Sequence, residues 1–183
     1  MSDLKGLKLR VDGSLPSKLF KKLGATPVFL PVPGIYEAAE KGVIDGSVMM
    51  WAMVATFKTY EVFRYWTDVS LYPAAIALAM NLDKWNSLPP DVQKGIMSVS
   101  GANGSAFAGR TAWSPELEKE VYARAEKIGK KFEKVNLDAG ELEKWKQKAG
   151  KPIWDEWVKR MEKKGLPGRE VLDKALKLTA KYR

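Results

Sequence analysis

Any chemistry in this chain is done without two of the commonest agents, because the 183 residues include no His and no Cys. The usual general base and the usual metal ligand are gone. Ser-His-Asp catalysis within the chain, thiol nucleophiles, disulfides and cysteine zinc sites are excluded with them. Carboxylate chemistry, lysine chemistry and oxygen-ligand metal sites survive. Asp45 and Glu37 could be named as paired carboxylates, but nothing in their spacing orders them as an acid–base couple, and Asp45-Gly46 is a common turn. Gly101-Ala102-Asn103-Gly104-Ser105 is neither a Gly-x-Ser-x-Gly elbow nor a phosphate loop; a helix packed closely against a neighbour accounts for it. The chain reads as a non-enzyme, with no cofactor and no metal assigned.

Charge offers recognition instead. The net charge of +9 splits into +1 over residues 1–92 and +8 over residues 93–183. A basic half raises nucleic acid as a partner, and a basic α/β module binding nucleic acid through that half is the alternative reading. The lysines there alternate with glutamates, as in Glu118-Lys119-Glu120 and Glu141-Leu142-Glu143-Lys144, which is the pattern of a solvated helix face. No nucleic acid is therefore expected as a partner.

The elements that would position a site alternate in type. Leu7, Leu9 and Val11 point one way and Lys8 and Arg10 the other, a period of two that predicts a strand. Ser14 and Pro16 open a helix with Leu15, Leu19 and Leu23 on one stripe, and Gly24 stops it. Thr26 to Val32 predicts a second strand, and Pro27 and Pro31 put it at an edge. Ile35, Ala38 and Ala39 make a short helix ending at Gly42. Ser47 to Trp51 predicts a strand buried on both faces. This β-α-β-α-β rhythm implies a parallel sheet with right-handed crossovers. An aromatic helix is expected over 52–66, and an apolar strand over Leu71 to Met80, far short of the ~20 residues that span a bilayer. From Pro90 the pattern is mainly helical. Val92, Ile96, Val99 and Phe107 share a face, Ser114-Pro115-Glu116 starts a helix, Lys131 to Leu137 is one more strand, and Asp138 with Glu141 resembles a capping box. Helical spacing runs from Leu142 to Met161, interrupted at Gly150 and Pro152, and a last helix covers Val171 to Tyr182.

Several short motifs follow one another in order: Asp3-Leu4-Lys5-Gly6-Leu7-Lys8-Leu9-Arg10-Val11, Leu23-Gly24-Ala25-Thr26-Pro27-Val28, Ile35-Tyr36-Glu37-Ala38, Gly42-Val43-Ile44-Asp45-Gly46, Tyr60-Glu61-Val62, and Met80-Asn81 with Trp85 and Leu88-Pro89-Pro90-Asp91-Val92-Gln93. Their order and spacing resemble the second half of the solute-binding proteins of tripartite ATP-independent periplasmic (TRAP) transporters, the DctP-like family. The match is dense from residue 3 to about residue 93 and looser through Trp154-Asp155-Glu156-Trp157-Val158 to Tyr182. The resemblance implies an α/β fold: a parallel-sheet lobe of the type II periplasmic-binding-protein kind, followed by a mainly helical C-terminal half. Residues 1–68 are then the ligand-binding lobe, 69–136 the lobe-crossing strand and helices, and 137–183 the C-terminal helices. It also implies the partners, a small organic carboxylate and the membrane permease subunits of a TRAP transporter, and a periplasmic location.

Within that resemblance Arg10 is the family's carboxylate clamp. A guanidinium fork matches a carboxylate bidentately, and Arg10 ends a strand, where α/β sheets bind ligands. The candidate ligand-binding set is Arg10, Met49, Trp51 and Tyr72. Many members carry Asp-Gly-Gln-Glu-Asn-Pro where this chain has Asp45-Gly46-Ser47-Val48-Met49-Met50, so thioether and indole stand near a position where an Asn helps hold the ligand. Gly34 replaces an acidic residue common before the Ile-Tyr pair. Nearly all of the family's first lobe lies before the part matched here, and the opening Met1-Ser2-Asp3-Leu4-Lys5 lacks the apolar core of a secretory leader. The expectation is a truncated fragment, or one part of a two-chain protein. Such proteins grip by closing two lobes, so one lobe alone is expected to hold a carboxylate poorly or not at all. A homo-oligomer covering the surface of the absent lobe is expected as well.

Overall fold

The structure, a computed structural model, describes residues 2–69, 71–72, 77–112 and 115–181. The chain divides into two units: Met1–Met49 with Tyr65–Val69 and Lys134–Arg183, and Met50–Arg64 with Ser70–Glu133.

The first unit opens with β1 (Lys8–Val11), α1 (Ser14–Leu23), β2 (Thr26–Phe29), α2 (Ile35–Glu40) and β3 (Gly46–Ser47). The strands form one sheet in the order β2-β1-β3, and both pairings are parallel. The proline-bearing strand is at an edge, as its sequence requires. Gly24 ends α1 in the left-handed region at φ 106, where its N–H closes the last turn onto Lys21 and Phe20 carbonyls. The buried stripe of α1 is Pro16, Leu19, Phe20 and Leu23, the spacing of one helix face. Leu15, expected on that stripe, lies one position off it and is exposed. In β1 the last two residues, Arg10 and Val11, are both buried. The face expected to carry solvated cations is therefore covered too.

The strand expected over Ser47 to Trp51 is shorter and earlier. β3 is the second edge of the sheet and pairs only with Leu9 and Arg10. The Val48 N–H reaches the Arg10 carbonyl at 2.9 Å, after which the chain leaves the sheet and Trp51 begins a helix. An apolar run suited a central strand, but a three-stranded sheet centred on β1 has no partner for β3 beyond that point.

The C-terminal part of this unit is α8 (Ala139–Trp145), a π-helical turn (Lys146–Gly150) and α9 (Lys151–Glu162), followed by α10 (Gly168–Lys181). The helix thus runs through Gly150 and Pro152 without a break. Pro152 lies in the first turn of α9, and the wide π turn precedes it where a proline ring would otherwise crowd the carbonyl four residues back. α10 begins earlier than expected, at Gly168, where an added Cβ would come within 2.9 Å of the Val158 carbonyl oxygen; glycine is what lets α10 start against α9. Tyr182 lies outside the described residues.

Asp138 caps α8, its Oδ1 accepting the Gly140 and Glu141 N–H groups at 2.8 and 3.2 Å. Asp138→Ala is expected to cost about 1 kcal/mol, read as a fall of about 2–4 °C in thermal midpoint. α1 packs on the π turn, where Ala149 is buried, and Lys18 and Lys22 reach Glu156 of α9 at 3.2 and 3.0 Å. The hydrogen bonds from Lys22 and Lys18 hold the Glu156 carboxyl below its usual range. A depressed carboxylate stabilises the fold above its unfolded pKa, and that contribution is lost as pH falls through the folded value. The small thermal advantage of the wild type over Glu156→Gln should therefore be present at neutral pH and shrink as the pH falls below the ordinary glutamate value of about 4.3.

The second unit is built on α3 (Trp51–Thr56) against α7 (Pro115–Lys127), with Val54, Ala55, Val121 and Ala125 buried. The aromatic helix expected over 52–66 ends at Thr56. Lys58 takes a left-handed conformation at φ 52, which an α-helix does not tolerate. A 3-10 turn (Thr59–Glu61) follows. Tyr65–Thr67, which belongs to the first unit, then forms β4, of residue types that suit strands, paired with β5 (Glu133–Val135). The apolar strand expected over Leu71 to Met80 is not formed at Leu71, Tyr72 or residues 77–80, and residues 73–76 lie outside the described part. Leu78 is fully exposed; among the described residues no neighbouring strand meets this segment.

α4 (Leu82–Asn86), α5 (Pro90–Ser98) and α6 (Gly101–Ala112) complete the unit. Gln93 Nε2 donates to the Trp85 and Leu88 carbonyls at 2.9 and 3.1 Å and fixes the turn between α4 and α5. Val92, Val99 and Phe107, expected on a packed face, are exposed at 41%, 72% and 68%. No helix of the described residues is long and apolar enough to cross a membrane.

Candidate functional site

Among the described residues Arg10 is the one buried charged side chain, at 2% exposure. It sits on the central strand, one residue from its carboxyl end. Its Nε donates to the Leu30 carbonyl at 2.8 Å and its Nη1 to the Val48 carbonyl at 3.4 Å. Leu30 follows β2 and Val48 follows β3, so the guanidinium is held from both sides by the main chain just beyond the two edge strands. A buried charge is costly unless hydrogen bonds meet it. Carbonyl oxygens orient the fork while leaving the group a full positive charge. A fixed cation at the carboxyl end of a parallel sheet is where such a fold takes a ligand, and a planar fork is the shape that pairs with a carboxylate.

The register places Val28, Arg10 and Ser47 side by side across the three strands. Partners in register project from the same face of a sheet, so this row shares the face on which Arg10 lies. Met49, two residues beyond Ser47, is half-buried in the segment leaving β3. Of the four expected ligand residues, the first unit holds Arg10 and Met49 and the second holds Trp51 and Tyr72.

Trp51 is half-buried at the start of α3. Its ring lies 5.8 Å from Tyr122 and 6.1 Å from Phe132, the second contact edge-on, and those two rings are 5.5 Å apart. Such tilted arrangements are the favourable ones for aromatic pairs. Tyr122 and Phe132 had no part in the sequence reading. Their clustering with Trp51 has no local signal, because 71 and 81 residues separate them from it. Tyr72 is half-buried in a bend.

The remaining candidates have structural duties. Asp45 Oδ2 accepts the Lys8 N–H at 2.8 Å, and Asp45 lies 4.0 Å from Lys8 Nζ, which ties the turn before β3 to the start of β1. Glu37 pairs with Lys41 one turn along at 3.3 Å, fully in solvent. The two carboxylates engage different lysines.

Three comparisons bear on this site. The family model described as bacterial extracellular solute-binding protein, family 7, matches residues 1–161. The outer membrane transporter protein TsaT of Comamonas testosteroni is 31% identical over 178 residues, covering 94% of this chain and 50% of that protein. A TRAP solute-binding protein from Rhodoferax ferrireducens T118, solved with copurified benzoate, superposes with a TM-score of 0.80 at 33% identity over 98% of this chain and 56% of its own. A marine metagenome TRAP solute-binding protein specific for aromatic acid ligands, solved with metahydroxyphenylacetate, gives 0.81 at 31% identity over 99% and 57%. The chain spans about half the length of the curated relatives it matches.

Proposed function

The chain belongs to the bacterial extracellular solute-binding proteins of family 7, and from that premise we propose that it grips a small organic carboxylate for a TRAP permease in the periplasm. Arg10 carries the reading. It is a buried guanidinium at the carboxyl end of the central strand, oriented by two main-chain carbonyls. Met49, Trp51 and Tyr72 are the proposed companions of Arg10 at the solute. An aromatic carboxylate is the preferred class. Thioether and indole at 49 and 51 favour a flat apolar ligand body, and two solved relatives hold benzoate and metahydroxyphenylacetate. Titration with benzoate and with L-malate tests the reading: benzoate is expected to bind more tightly, and a preference for malate would overturn the aromatic assignment.

A second copy of the chain is the proposed cover for the exposed apolar face of α4, α5 and α6. Residues 77–112 carry only Asp83, Lys84, Asp91, Lys94 and Arg110, a balance of +1 in a chain of +9. That near-neutral, apolar surface suits a like surface and gives a polyanion little to hold.

A further inference from the structure

We infer that Ser47 is a second ligand contact, its hydroxyl donating to the carboxylate that Arg10 grips; the inference rests on the carboxylate reading of Arg10. Ser47 ends β3 and lies in register with Arg10 on the same sheet face. Its Oγ is shut away from solvent and has no hydrogen-bond partner. Most buried hydroxyls find one, and a buried hydroxyl without one carries a desolvation cost that nothing in the fold offsets. The main chain of the next residue is engaged. The Val48 N–H bonds the Arg10 carbonyl, and the Val48 carbonyl accepts from Arg10 Nη1. The hydroxyl is thus the unmatched polar atom in a row whose neighbour is a buried cation.

A carboxylate answers the hydroxyl's demand. Its oxygen lone pairs outnumber what one arginine fork takes. A serine O–H beside the fork supplies a donor of the right length for the remaining acceptor.

The test compares Ser47→Ala, Arg10→Ala and the wild type by benzoate titration and thermal melting. Ser47→Ala is expected to weaken benzoate by about tenfold or more, the effect of one hydrogen bond to a charged group. It is also expected to melt no lower than the wild type, since it removes an unmatched buried hydroxyl. Unchanged affinity in Ser47→Ala together with loss in Arg10→Ala would overturn the role of Ser47 and leave the carboxylate reading standing. A markedly lower melting point in Ser47→Ala would mean that the hydroxyl serves the fold, and would overturn the inference. Unchanged affinity in both variants would remove Arg10 from the site and Ser47 with it.

Discussion

Arg10→Ala is expected to weaken carboxylate binding by about 2–5 kcal/mol, a factor of about 30 to several thousand. The size follows from burial. The guanidinium is 2% exposed and fixed through Nε and Nη1 before any ligand arrives. Little side-chain entropy remains to be lost when it binds, and water screens the resulting ion pair weakly. Arg10→Lys is expected to lose most of the affinity as well, because an ammonium keeps the charge but neither the fork nor the two-carbonyl tether. Calorimetry measures the tight end of this range, and chemical-shift titration extends it into the millimolar range. Equal affinities in wild type and Arg10→Ala would take Arg10 out of the ligand site. Equal affinities in wild type and Arg10→Lys would show that charge alone is read.

How much of this was legible in the sequence depended on how locally each feature is decided. The parallel β1–β2–β3 core was legible because its strands and helices are separated by turn residues whose type selects the conformation, such as Gly24, which lacks the Cβ that disfavours φ 106. The cap at Asp138 was legible for the same reason. The end of the aromatic helix was not, because Phe57, Tyr60 and Phe63 suit a helix as well as a packed coil. The stop is a left-handed Lys58, a residue type with no preference for that conformation. Whether Tyr65–Thr67 becomes a strand is decided by β5, more than sixty residues away. At the site, Arg10 was legible as a strand-end arginine, but its burial was not: alternation placed it on a polar face, and only the three-dimensional sheet shows that face covered. Ser47 was visible only as part of a turn-strand run, because a missing hydrogen bond has no sequence signature.

Light scattering on the protein is expected to report a dimer of about 41 kDa, twice the 20.5 kDa chain. Isolated helices below about 12–15 residues are marginal in water, and packing of an apolar face normally supplies what propensity does not. α4, α5 and α6 have 5, 9 and 12 residues. α4 and α5 have no buried residue, and every described side chain of α6 is exposed. Gly95, Gly101, Gly104 and Gly109 lower the helical preference further. Leu78, Leu82, Met97, Val99 and Phe107 are each more than half exposed. A surface like this is covered in the stable state of a protein, and a two-fold pairing of the same patch closes without leaving a second patch open. Val99→Asp with Phe107→Asp should then return the mass to that of the monomer while the circular dichroism of the α/β core persists. A monodisperse 20.5 kDa species at high concentration would mean that the face is stable uncovered. A dimer indifferent to both substitutions would place the interface elsewhere. A broad distribution of large particles would mean that the patch associates without closing, as a surface made for a different protein partner does.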